Sequence, residues 1–129
     1  MIKEKQHMRN IVTWVVSVLL ALTFFGAGIA KLASAPMMVA EFSTFGLPLW
    51  FMYVTGILEI SSAALVLVPR FAFIGAGLLV CTMACALFAH LTHGQAAMIG
   101  APLVLLTLAA VVGTLRGWGR GSRLVPGNV

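Results

Sequence analysis

Four apolar runs of about 20 residues organise the chain, and short polar breaks separate them: 11 to 30 (IVTWVVSVLLALTFFGAGIA), 49 to 68 (LWFMYVTGILEISSAALVLV), 71 to 90 (FAFIGAGLLVCTMACALFAH) and 96 to 115 (AAMIGAPLVLLTLAAVVGTL). A helix rising about 1.5 Å per residue crosses a hydrocarbon core of about 30 Å in about 20 residues, so each run is long enough to span a bilayer. None alternates as a barrel strand would, and lipid offers backbone groups no partner, so each run is expected to be a helix. The pattern predicts an all-α polytopic membrane four-helix bundle over 11–116, after a polar lead (1–10) and before a basic tail (117–129).

The first outer connection, KLASAPMMVAEFSTFGLP, is too long for a turn, and Met37, Met38, Val39, Phe42 and Phe45 surround a lone Glu41 in it. It predicts a short amphipathic helix on the outer surface, with Ser34 as N-cap, Pro36 in the first turn, and Gly46 and Pro48 marking its end. Pro69-Arg70 reads as a tight inner hairpin, HLTHGQ as a short outer one, and Pro102 as a kink in the fourth spanning helix.

Composition strengthens the membrane assignment: 61% of residues are hydrophobic and 9% charged, against roughly a quarter charged in a soluble domain. Lys3, Lys5, Arg9, Arg70, Arg116, Arg120 and Arg123 fall on one side of this topology and Lys31 on the other. That asymmetry predicts that both termini are cytoplasmic. The net charge of +5 then reports topology and lipid attraction, and no nucleic-acid partner is expected. Trp14 and Trp118 fall near the inner boundary, Trp50 and Tyr53 near the outer one. Ala33-Ser34-Ala35 behind a basic start resembles a signal-cleavage site, but the apolar run is too long for a signal core and Lys31 interrupts it. Met1 and Met8 are both candidate starts.

Polar residues inside the spans are the candidate chemistry. On a helical wheel Glu59 shares a face with Met52, Thr55, Gly56, Ser62, Ala63 and Val66, while Trp50, Val54, Ile57, Leu65 and Val68 lie opposite, so Glu59 is expected to point into the bundle. On the first span, Arg9, Thr13, Ser17, Leu20, Phe24, Ala27 and Lys31 form one stripe. Depth counting puts Glu59 and Lys31 about 15 Å apart, and their opposed leans reduce this to about 5 Å. The candidate intramembrane network is Lys31, Glu59, His90, Thr55 and Ser62. Its role stays open between a structural clamp and a ligand, proton or quinone site.

Cys81 and Cys85 are four apart on one helix, too distant at Cβ for a disulfide, and are assigned to packing. His90 and His93 are too few for a metal site, and none is expected. The small-residue words FFGAGIA and FIGAGLL are assigned to close helix packing.

These residues resemble a family. Arg9, FFGAGIAKLAS, FGLPLWFMYVTGILEISSAALVLVPRFAFIGAGLL, MACALFAHLTHG, Pro102 and Arg116 together resemble the DoxX-like family of small four-helix membrane proteins, from about residue 9 to 117. The family is related to the small membrane subunit of an archaeal thiosulfate:quinone oxidoreductase, and mycobacterial relatives are linked to membrane thiol-redox complexes. The resemblance implies an accessory subunit in quinone-linked thiol or sulfur metabolism, with Lys31, Glu59 and His90 at the recurring polar positions. It implies a soluble or membrane redox enzyme as partner and a quinone as the cofactor class, while association into a homo-oligomer stays open. The short HLTHGQ loop and the Arg-rich, Asp-free end depart from classical members. A proton-coupled small-molecule transporter and a structural or assembly factor without catalysis are the alternatives.

Overall fold

The computed structural model describes the backbone of residues 2–124 and the side chains of residues 2–117. The side chains of Trp118, Arg120 and Arg123, and all of residues 125–129, therefore lie outside the described residues. The chain is helical throughout, in the order α1 (Ile2–Leu32), α2 (Pro36–Thr44), α3 (Leu49–Leu67), α4 (Ala72–Thr92), a 3-10 turn (Ala96–Met98) and α5 (Gly100–Leu124). The helices α1, α3, α4 and the 100–117 part of α5 are long and apolar enough to cross a membrane. Consecutive spans are antiparallel neighbours: α1 packs on α3, α3 on α4 and α4 on α5, and α5 closes back on α1.

Two boundaries differ from expectation. The polar lead is the first part of α1, which is helical from Ile2. The fourth span begins only at Gly100, because Ala96–Met98 is a 3-10 turn. Pro102 therefore sits in the first turn of α5, where no intrahelical donor is lost, and does not kink a helix interior.

The core is a narrow seam of Leu20, Ala21 and Phe24 from α1, Ala63 and Val66 from α3, Ala76, Leu79 and Met83 from α4, and Ala109 and Val112 from α5. Large apolar side chains such as Val18, Leu22, Ile57, Ile74, Phe88 and Val104 face outward. An apolar exterior over small interior residues is the distribution that lipid as solvent produces. Six hydroxyls in the spans are satisfied locally: Thr13, Ser17, Thr23, Thr82, Thr107 and Thr114 each donate to the carbonyl four residues back, as an apolar medium requires.

One glycine of each small-residue word makes the close approach. A Cβ on Gly28 would lie 2.8 Å from the Gly56 carbonyl oxygen, and one on Gly75 2.7 Å from that of Ser62. Gly26 and Gly77 face open space. Thus α1 meets α3 at Gly28/Gly56, and α4 meets α3 at Gly75/Ser62.

Three helix ends at the end of the bundle opposite the start of α1 share one geometry. The backbone N–H of Ala35, Leu47 and Gln95 reaches back five residues to Ala30, Phe42 and His90, and the intervening residues Ser34, Gly46 and Gly94 have positive φ. Glycine suits this left-handed position, so Ser34 is the exception. It is the terminating residue of α1 and not the N-cap of α2, whose cap is Ala35 without a side-chain bond. Its hydroxyl is 2.6 Å from that of Tyr53 on α3, a tie that glycine could not make.

Candidate functional site

The Gly28/Gly56 crossing sets the register of the principal polar pair. Lys31 lies three residues beyond Gly28 and Glu59 three beyond Gly56, in opposite directions because the helices are antiparallel, giving an axial offset of about 9 Å. Each side chain leans toward its own helix N-terminus, so the two lean toward each other across the crossing. The Lys31 stem passes over Gly56, where a Cβ would stand 3.0 Å from the Lys31 Cβ. Lys31 Nζ then donates to Glu59 Oε2 at 3.0 Å. The pair is direct, with no need of a helix shift or a bridging water, because the glycine register makes the offset smaller than run boundaries suggest.

Glu59 is 2% and Lys31 8% exposed. Met52, Gly56, Ser62, Ala63 and Val66 are buried on the same face. Thr55 departs from expectation: it is only partly buried, and its hydroxyl returns to the Phe51 carbonyl at 2.9 Å. Ser62 is fully buried, yet its hydroxyl makes no hydrogen bond among the described residues. Neither hydroxyl therefore bonds to the ion pair.

His90 forms a second cluster. It ends α4, is 4% exposed, and its Nε2 is 3.3 Å from Glu41 Oε1 on α2. The turn at Gly94 returns Gln95 to the same ring, with Oε1 2.9 Å from Nδ1. Phe45, one turn after Glu41, sets its ring edge-on to His90 at 5.1 Å. The structure therefore brings together two sites, Lys31–Glu59 and Glu41–His90–Gln95, and no described hydrogen bond joins them. Glu41 is about one third exposed, so this cluster connects a buried imidazole to the surface at the end of the bundle opposite the start of α1. Sequence reasoning passed over Glu41 because its partner lies far along the chain. The available signal was a lone acid in an interfacial helix opposite a lone histidine at a helix end.

Cys81 and Cys85 are unlinked as expected, but both are exposed on the outward face of α4, so they do not pack within the bundle. Among the described residues, no group of three or more His, Cys, Asp or Glu is placed to hold a metal. A shallow open concavity of about 440 Å³ lies over α2 and the start of α3, lined by Val39, Phe42, Ser43, Gly46, Leu47, Pro48 and Leu49. Neither ion pair lines it. Ser43 carries its one polar side chain, so it lacks the paired donors that the two carbonyl oxygens of a quinone take, and its fit is to an apolar body.

The sequence model of the DoxX-like family matches residues 15–112, a range that contains both clusters in full. The uncharacterized protein YdgD of Bacillus subtilis (strain 168) is 35% identical over 102 residues, covering 76% of this chain and 90% of that protein. No solved structure matches. With a family match over most of the chain and four helices long and apolar enough to span a membrane, this multi-pass membrane protein belongs to the DoxX-like family.

Proposed function

We propose that the chain is an accessory subunit of a quinone-linked redox system acting on thiols or reduced sulfur, set in a bacterial-type inner membrane with both termini cytoplasmic. The orientation rests on the basic residues at the end carrying the termini, and the redox assignment on the family likeness. The observation that carries an active role is the enclosed Lys31–Glu59 pair. A charge such as that of Glu59 costs about 2.5 to 3.5 kcal/mol near the centre of a membrane helix, so an ionisable group kept there is a functional candidate. The pair fixes the α1/α3 crossing beneath α2, and α2 with Glu41, Phe45 and His90 forms the outer face that meets the partner enzyme. The quinone belongs to that partner in this account.

The test is Glu59→Gln and His90→Ala in native membranes, with quinone-linked thiol or sulfur oxidation measured per unit of protein. The proposal expects oxidation per molecule of this chain to fall in both variants, whatever abundance each retains. Unchanged oxidation in both variants and in the gene deletion would end the redox assignment. The assembly-factor reading has its own support, since Glu59 and Lys31 satisfy each other. It expects Glu59→Gln to lower the amounts of this chain and its partner while turnover per partner molecule stays constant. A proton-coupled transporter needs a carboxylate free to exchange protons with both sides, and the enclosure of Glu59 by Lys31 argues against that use. Flux of a lipophilic cation into proteoliposomes under a pH gradient would reverse this ranking.

A further inference from the structure

At the end of the bundle opposite the two clusters, α1 and α5 close the ring with cations. The Arg116 guanidinium carbon on α5 lies 4.6 Å above the Trp14 ring of α1. Arg9, on the same helix as Trp14, directs Nη2 to the Leu115 carbonyl at 3.5 Å. Two guanidinium groups thus converge on one seam.

Among the described residues, Arg116 has no acceptor there. Arg116 Nε and Nη2 are shielded from solvent and make no hydrogen bond among the described residues, and no described carboxylate pairs with either arginine. The chain has three acids. Glu59 is held by Lys31 and Glu41 by His90 at the far end. Glu4 is five residues before Arg9 on α1, which turns it well away from Arg9 on the helix. Residues 118 to 129 contain no Asp or Glu. Lys5, one turn before Arg9 on the same face, adds a further positive charge.

Like charges gathered at a membrane boundary repel unless an anion joins them. A guanidinium offers a planar fork of donors matched to phosphate oxygens. Stacking on Trp14 fixes the Arg116 plane beside Arg9. We propose that Arg9 and Arg116, oriented by Trp14, form a binding site for a phosphate group at the end of the bundle that carries both termini. The phosphate is that of a phospholipid headgroup or of a soluble phosphate compound, the two sources sharing this chemistry.

The experiment uses the full chain in detergent and native mass spectrometry of retained adducts. The probes are phosphatidylglycerol, diacylglycerol with the same acyl chains, and inorganic phosphate as competitor. The site predicts retention of phosphatidylglycerol over diacylglycerol. It predicts that Arg9→Gln or Arg116→Gln lowers retention by about tenfold, the scale of one charge-assisted hydrogen bond. Arg70→Gln, at the same end but away from the seam, should retain lipid like the parent. Displacement by millimolar inorganic phosphate would identify the soluble source, and resistance to it the lipid. Equal retention of the two lipids, or parental retention by the Arg9→Gln/Arg116→Gln double variant, would overturn the proposal. If Arg116→Gln does not purify with parental helicity, Arg9→Gln and Trp14→Ala carry the test with the same expected losses.

Discussion

Gly28→Ala should weaken the bundle at the crossing that aligns its ion pair. The added Cβ would stand 2.8 Å from the Gly56 carbonyl oxygen and 2.5 Å from Ile60 Cγ1. The isoleucine can rotate, but the backbone oxygen cannot, and ordinary contact begins near 3.4 Å. The axes of α1 and α3 must therefore part by about 0.6 Å in a close-packed interface. Carried into the Lys31–Glu59 contact, 3.0 Å now, that parting gives about 3.6 Å, beyond a hydrogen bond. Overpacking costs about 1 to 3 kcal/mol, and the weakened pair brings the expected loss to about 2 to 4 kcal/mol. Gly26→Ala, two residues earlier with nothing within 4 Å, should be neutral or stabilising by up to about 1 kcal/mol through helix propensity. SDS titration of the protein in dodecylmaltoside, followed by far-UV circular dichroism, separates the two midpoints. Equal stability of Gly28→Ala and Gly26→Ala would refute the reasoning.

Two further outcomes follow from the outer end. Tyr53→Phe removes the 2.6 Å partner of the Ser34 hydroxyl and leaves a strained serine at φ 55°. It should cost about 1 kcal/mol, and Ser34→Gly should restore most of that loss in the Tyr53→Phe background, since glycine relieves the left-handed strain; the same SDS titration checks both. His90→Ala removes the Glu41 and Gln95 contacts and should speed amide exchange across α2 at least about tenfold while the α3 and α4 interiors keep parental rates, read by hydrogen-exchange mass spectrometry.

The spans and the inward faces were legible because lipid leaves a strong signal. Apolar runs fix the helices, and the small and polar residues of α1 and α3 mark their buried sides, from Thr13, Ser17 and Phe24 to Met52 and Ala63. The pairing of Lys31 with Glu59 was legible as a tendency from the opposed leans. Its distance was not, because hydropathy sets run boundaries loosely while the Gly28/Gly56 contact sets the true register. Thr55 was misplaced because it lies at the margin of the Glu59 face, where a hydroxyl that bonds its own helix can turn toward lipid. Ser34 resembled an N-cap because serine favours both that role and, when a partner such as Tyr53 is near, a left-handed turn. Glu41 with His90, and Arg116 with Trp14, join residues far apart in the chain, and no local periodicity reports such contacts.

The most direct test of the central claim, that Lys31 and Glu59 form one enclosed ion pair across the α1/α3 crossing, is a double-mutant cycle of Lys31→Met and Glu59→Gln measured by SDS titration. The single variants each strand a charge or break the pair. The account predicts that each is destabilised by about 3 kcal/mol and that the double variant loses far less than their sum, a coupling of at least about 2 kcal/mol. Additive losses would contradict it.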